Sequence, residues 1–296
     1  MPRRRAAEAT RAQSMKLGTC IIRFDAPKVM GIVNNTPDSF SNDGLAGDVR
    51  KAIAQGESMF ADGADIVDVG GESTRPGAEP VPVDEELQRV IPVVESLCTR
   101  HPGRVSIDTM KPEVAEAALF GGASVVNDVS GLRDQKMIDV VAEQDAAVII
   151  MHMLGEPRTM QENPRYKDVV EDIKDYLSDR IEAAERSGVS PRKIMVDPGI
   201  GFGKTKDHNL EIIARLGELR TLGKPIVIGV SRKAFIGKIT GRPVGDRLDG
   251  SIAAAVLAVS HGAALVRAHD VGPTVRALAV ATDIMSMARE TAIRRY

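Results

Sequence analysis

The sequence predicts an α/β chain closed into a (β/α)8 TIM barrel with a short N-terminal hairpin, and three observations carry that expectation. Short β-branched runs recur eight times, each followed by a stretch with apolar residues at helical spacing, the pattern of repeated βα units with a parallel sheet. The length, 296 residues, matches the roughly 250 residues plus extensions that such a barrel needs. No short-period repeat, low-complexity tract or Pro/Gly-rich linker divides the chain, so a single domain is expected over 15–296. An open, doubly wound sheet is the alternative, because periodicity does not encode strand order.

Taken in order, the opening MPRRRAAEATRAQS is Arg-rich with no apolar segment behind it, unlike a secretory signal. It reads as a disordered tail over 1–14, or as sequence upstream of a start at Met15, with a targeting peptide the remaining alternative. Residues 16–26 read as a hairpin able to plug the N-terminal mouth of the barrel. The first βα unit is a strand at Val29–Asn34 and a helix over 48–62, and the second is Ile66–Gly70 with 84–99. Val105–Thr109 leads to a helix over 112–120 that opens on Pro112, and Val125–Asp128 to one over 134–143 that opens on Asp134. Ala147–His152 precedes 167–188, and Ile194–Pro198 precedes 207–219. The last two units pair Pro225–Ser231 with 249–261 and Ala264–Asp270 with 272–289.

Composition narrows the function classes. The 39 Lys and Arg nearly balance 41 Asp and Glu, which leaves no positive excess for a nucleic-acid backbone. The longest apolar runs, such as 252–259, fall short of the roughly 18 residues of a membrane span. Cys20 and Cys98 lie far apart in no CxxC pattern, which suits a reduced, cytoplasmic protein in which both pack as thiols. The five histidines form no spaced ligand cluster, so any metal is expected to be a hard cation held by oxygen and substrate phosphate.

Chemistry collects at the C-terminal ends of the strands, where a barrel builds its active site. Asn34, Asp68, Asp108, Asn127, Asp128, His152, Asp197, Ser231 to Lys233, Arg267 and His269 all lie in or just after strands. A charged or amide group inside an apolar strand is costly unless a partner or ligand satisfies it, so so many strands with one imply a ligand. Two of these are read structurally: Asp128 as a loop cap and His152 as a hydrogen-bonded core histidine. The polar, glycine-bearing loops 35–44 and 71–77 suit lids, and the second offers hydroxyls and Arg75 to an anion. The run Asp197 to Lys204 (DPGIGFGK) lacks the spacing of a P-loop.

MGIVNNTPDSFSNDG at 30–44, DVGGESTRPG at 68–77, SIDTMKPEVA at 106–115, VND at 126–128, DPGIGFGK at 197–204, SRK at 231–233 and VRAHDV at 266–271 resemble, in order, the successive signatures of dihydropteroate synthases. That resemblance implies condensation of 6-hydroxymethyl-7,8-dihydropterin pyrophosphate with para-aminobenzoate in folate biosynthesis, by an SN1-like route. It implies that Asp108, Asn127, Asp197 and Lys233 read the pterin ring, with Asp68 either beside them or orienting the loops. Asn34, Thr74, Arg267 and His269 match the positions that bind pyrophosphate, with Asn34 the protein contact of an Mg2+ cofactor. Arg75, Pro76, Phe202, Lys233 and Ala234 match the para-aminobenzoate surroundings, and Arg267, His269, Lys233 and Asp43 the catalytic positions. A homodimer is implied by the family alone.

The chain departs from the family pattern at Asn35, where valine is common, at Asn42-Asp43, where Asp-Gly is common, and at Ala234, where a serine often helps hold the benzoate carboxylate. The loop aspartate of the family is therefore lost at Asn42 or shifted to Asp43. Two rival readings are a pterin-dependent methyltransferase domain and a non-catalytic pterin-binding paralogue. Arg75, Arg267 and His269 argue against the first, which has no leaving phosphate to neutralise.

Overall fold

Side chains alternate across a strand, so one residue in two points into a closed barrel and the other outward to the helices. The computed structural model, which describes residues 14–36, 48–75 and 77–293 with the side chains of 289–293 excepted, follows that rule throughout. β1 (Ser14–Leu17) and β2 (Cys20–Arg23) pair antiparallel as the N-terminal hairpin. Its Met15, Leu17 and Ile22 join one apolar cluster with Met30, Ile66, Val125, Ile149, Met195 and Leu265, the inward residues at the starts of barrel strands. The hairpin therefore seals the N-terminal mouth, as its sequence implied, with the strands at 14–17 and 20–23 rather than 16–26.

The barrel strands are β3 (Lys28–Asn34), β4 (Ile66–Gly70), β5 (Val105–Asp108), β6 (Val125–Asp128), β7 (Ala147–Met151), β8 (Ile194–Asp197), β9 (Val227–Ile228) and β10 (Leu265–Ala268). All pair parallel in the order β8-β7-β6-β5-β4-β3-β10-β9, neighbours in sequence throughout except where the last strand, β10, returns to pair with the first, β3. A single parallel bridge between Val196 and Ile226 joins the two ends of that order and closes the ring. A doubly wound sheet would reverse direction at a switch point; this one does not.

Helices cover the outside: α1 (Val49–Ala61), α2 (Val83–Arg100), α3 (Pro112–Phe120), α4 (Gln135–Glu143), α5 (Val169–Arg186), α6 (Lys206–Ala214), α7 (Ala234–Thr240), α8 (Leu248–Ser260) and α9 (Val271–Ile293). Their starts follow from local chemistry. Asp48, Asp134 and Asp168 accept backbone N–H groups at the first turns of α1, α4 and α5, Pro112 opens α3, and Thr205 and His208 form a capping box on α6. The outward residues Val67, Val69, Ile107, Val126, Val148, Ile150 and Val196 pack against these helices in the largest core cluster. On α8, Ala254, Ala255, Ala258 and Val259 face that core, so the apolar stretch 252–259 is a packed helix.

Three elements differ from expectation. The strand expected over 225–231 forms a ladder at Val227–Ile228, with the single bridge at Ile226 before it, because the chain turns away at 229–233. That turn leads into α7, a helix the sequence did not announce. The helix expected over 207–219 stops at Ala214 and continues as a 3-10 segment, Leu216–Leu222, ended by Gly223 at φ +68°. Among the described residues no helix is long and apolar enough to cross a membrane.

Candidate active site

The alternation that builds the core also aims the polar residues. On β3 the inward set Met30 and Ile32 continues to Asn34, and on β4 Ile66 continues to Asp68. By the same count Asp108, Asn127, Asp197, Arg267 and His269 point into the barrel's C-terminal mouth. Asp128 and His152 have the opposite parity and face the helix layer. Asp128 accepts hydrogen bonds from Ser130 N, Ser130 Oγ and Leu132 N, capping its loop as expected. His152 is buried, takes Lys204 Nζ at 2.9 Å on Nδ1, and is held down to about 2 by burial and the lysine, hence neutral.

A cavity of about 400 Å3 opens at this end. Asn34, Asp108, Lys233, Arg267 and His269 line it, as do Thr74 and Arg75 from the β4–α2 loop and Phe202 and Ala234 opposite. Asp68, Asn127 and Asp197 are buried beneath these groups. Arg267 Nε donates to Asp68 Oδ2 and Nη2 to Asp108 Oδ2, both at 2.6 Å, while Asn127 Nδ2 donates to the same Asp68 oxygen at 2.9 Å. Asp68 is thus the hub of the floor, and its Oδ1 is buried without a hydrogen-bond partner among the described residues. Burial pushes Asp108 up to about 7, against the pull of Arg267 and with help from Asp68. Burial also raises Asp197, whose Oδ1 accepts Gly199 N at 2.7 Å.

The Asp197–Lys204 loop is a glycine turn of a different kind from a phosphate cradle. Gly199, Gly201 and Gly203 take positive φ of +70°, +86° and +65°, which folds the loop back over β7. Lys204 ends it inside the protein, donating to Phe202 O at 2.9 Å as well as to His152, and burial pulls its ammonium down to about 7. The loop thereby presents Phe202, whose ring lies 4.4 Å beneath Lys233 Nζ, a cation–π contact.

Lys233 is delivered by the unexpected turn. Arg232 adopts φ +55°, held by Ser251 Oγ on its N–H and by a two-point pair with Asp270 at 2.6 and 3.0 Å. Lys233 follows as the N-cap of α7, and burial together with Arg267 lowers its ammonium to about 8. Ser231 Oγ contacts His269 Nδ1 at 2.9 Å and accepts His269 N at 3.2 Å, fixing the ring at the cavity wall. Sequence reasoning assigned no role to Lys204, and none to Ser231 beyond its position after the strand. Parity and a place in a glycine-rich turn were the only signals available for them.

Asp43 and Pro76 lie outside the described residues. Among the described residues no group of three or more His, Cys, Asp or Glu is placed to hold a metal. Asn34 offers one neutral amide oxygen at the cavity wall. That donor set fits a cation such as Mg2+, which keeps most of its waters and completes its shell with phosphate oxygens.

Comparison with known proteins gives this arrangement a family. A family model described as "Pterin binding enzyme" matches residues 30–269. The dihydropteroate synthase of Escherichia coli (strain K12) is 44% identical over 260 residues, covering 88% of this chain and 92% of that one. Among solved structures, Xanthomonas albilineans dihydropteroate synthase with 4-aminobenzoic acid superposes with a TM-score of 0.86 at 45% identity, over 93% of this chain and 99% of that one. Burkholderia cenocepacia dihydropteroate synthase complexed with 7,8-dihydropteroate gives 0.85 at 45% identity, over 94% and 99%. With identity at this level along the barrel and its mouth, the chain belongs to the dihydropteroate synthase family.

Proposed function

We propose that this chain condenses 6-hydroxymethyl-7,8-dihydropterin pyrophosphate with para-aminobenzoate, giving 7,8-dihydropteroate and pyrophosphate in folate biosynthesis. The observation that carries the reading is a barrel mouth with acceptors at its floor and cations at its rim. Among the described residues Asp68 Oδ1 has no donor, Asn127 and Asp197 are buried with it at the floor, and Asp108, Arg267, His269 and Lys233 line the cavity. A pterin ring, with its amino and amide N–H groups, meets the floor; Lys233 donates to the ring carbonyl or a ring nitrogen. Arg267 and His269, with Thr74, meet the pyrophosphate, and the Arg267 fork suits an anion in charge and in shape. Arg75, Phe202 and Ala234 surround para-aminobenzoate, and Pro76 is assigned to the same subsite by the family resemblance alone.

In this mechanism Arg267 and His269 stabilise the charge that builds on the departing pyrophosphate, which is electrostatic catalysis aimed at the transition state. The exocyclic methylene becomes a cation delocalised into the pterin, and the aromatic amine attacks it. The amine proton becomes acidic only after that bond forms and passes to water or to the released pyrophosphate. Asp43 is proposed to stand near the cation and offset its charge. Asn34, together with substrate oxygens, would hold an Mg2+ ion, which when bound would add to the neutralisation of the leaving group.

The enzyme is proposed to act as a cytoplasmic homodimer. Free thiols at Cys20 and Cys98 support the compartment. Apolar residues exposed on the adjacent helices α8 and α9, Leu257 at 54%, Val280 at 62% and Ile284 at 65%, support a partner copy.

Pyrophosphate release from purified protein, Mg2+ and the dihydropterin substrate, with and without para-aminobenzoate, tests the reading. Release that depends on para-aminobenzoate, yields dihydropteroate and falls by roughly 10²–10³ in Arg267→Ala is expected. Pterin binding without turnover would overturn it in favour of a binding protein.

A further inference from the structure

Outside the substrate contacts lies a charged cluster that the mechanism above leaves unused. Lys111, just after β5 and at the N-cap of α3, reaches two carboxylates: Glu72 Oε2 in the β4–α2 loop, and Glu86 Oε2 on α2 at 2.5 Å. Glu86 is fully buried, and the side chains of Glu72 and Lys111 are 11% and 20% exposed. A buried carboxylate needs its cation, so the position of Lys111 is set by Glu86 and cannot drift without leaving that charge unpaired. Glu72 is then held by a cation whose place the body of the barrel determines.

Glu72 lies between Gly71 and the loop segment Ser73-Thr74-Arg75, and it lines the cavity itself. Its Oε2 also accepts Val81 N at 3.4 Å, drawing the far end of the same loop back to its start. The loop root is fixed independently: Arg89 Nη1 donates to Gly71 O at 2.8 Å, and a Cβ on Gly71 would lie 2.7 Å from Val90 Cγ1. The Arg89 carbonyl meanwhile takes Asn35 Nδ2 at 2.8 Å, so α2 holds the roots of both polar loops. On the other side, Lys111 is three residues from Asp108, which pairs in register with Gly70.

We infer that Glu72 is a positioning residue for this reaction: through Lys111 and Glu86 it fixes the start of the β4–α2 loop, with Thr74 and Arg75 on the cavity wall in reach of the pyrophosphate and para-aminobenzoate. The inference rests on the function proposed above. Glu72 touches no reacting atom. Its carboxylate determines where the loop sits, and so how tightly substrates are held rather than how fast bound substrates react.

The test is Glu72→Gln, which keeps the side chain's shape and removes its charge, compared with Lys111→Arg and Lys111→Met. Loss of one charge-assisted hydrogen bond predicts a KM for para-aminobenzoate raised about tenfold, with kcat changed less than about threefold. Lys111→Arg, which keeps both pairs, stays near the parent. Adding Glu72→Gln to Lys111→Met raises KM no further, because both remove one interaction. Hydrogen exchange of the amides over 72–81 reads the loop without turnover, and covers any variant whose yield or stability is poor; it quickens in Glu72→Gln while α2 is unchanged. A lower melting temperature with KM and loop exchange unchanged would make the cluster a structural ion pair and overturn the inference, as would a fall in kcat at constant KM. Absence of turnover in the parent protein would instead count against the proposed function, and the exchange result would still decide whether Glu72 holds the loop.

Discussion

Arg267 sits where two demands meet. Its guanidinium keeps the buried Asp68 and the cavity-lining Asp108 from facing each other uncompensated, and in the proposed reaction it also meets the pyrophosphate. Arg267→Ala therefore removes a buried partner as well as an anion ligand, and a loss of about 3–5 kcal/mol of stability accompanies the loss of rate. The groups proposed to read the pterin ring carry a pH signature. Asp108 ionises as pH rises through about 7 and then accepts from the pterin; Lys233 loses its proton above about 8 and stops donating as a cation. Pterin affinity is therefore expected to rise through about pH 7 and to fall above about pH 8, a narrow bell whose alkaline limb disappears in Lys233→Met. A profile flat over roughly pH 6–9 in fluorescence titration would contradict that assignment. Asn34, Asp68, Asp108, Asn127, Asp197 and Arg267 were legible as site candidates because each is a costly group in an apolar strand. Glu72, Glu86 and Lys111 were not, because a charge in a loop or on a helix is ordinary until its burial is known.

At the level of elements, alternation and loop geometry decide what the site can present. The same period-two pattern that sends Asn127 inward sends Asp128 outward, so adjacent residues of β6 serve the cavity floor and a loop cap. The Asp197–Lys204 loop needs its glycines for backbone reasons: at Gly199, φ is +70° and a Cβ would lie 1.9 Å from His152 O. Gly199→Ala is expected to cost more than about 2 kcal/mol and to displace Phe202, weakening para-aminobenzoate binding. Gly223→Ala, at φ +68° but with nothing near the new Cβ, is expected to cost only about 1 kcal/mol. Equal denaturation midpoints for the two variants would show that the close approach at Gly199 relaxes freely. Helix α7 escaped sequence reasoning because its start is a backbone event, Arg232 in the left-handed region, and not a capping side chain.

For the whole molecule, closure of the ring and its outer face remain. The apolar residues on α8 and α9 point away from the core, and in the proposed dimer they are covered by a second copy. Leu257→Glu with Ile284→Glu is expected to give a monomer in sedimentation with the barrel intact; a parent protein that already sediments as a monomer would end the dimer proposal. By itself the sequence determined the βα repeat, the strand interiors, the helix starts at Pro112 and Asp134, and the inward polar residues at the barrel mouth. All of these follow from local periodicity and capping. Only the tertiary structure decided that Arg267 meets Asp68 and Asp108, that Lys204 folds back onto His152, that Lys111 joins Glu72 to Glu86, and that the hairpin seals the far end. Those pairings span from 25 to 199 residues of chain, and they exist because strands distant in sequence become neighbours when the sheet closes. Burial then assigns each charge a partner that no local pattern can name.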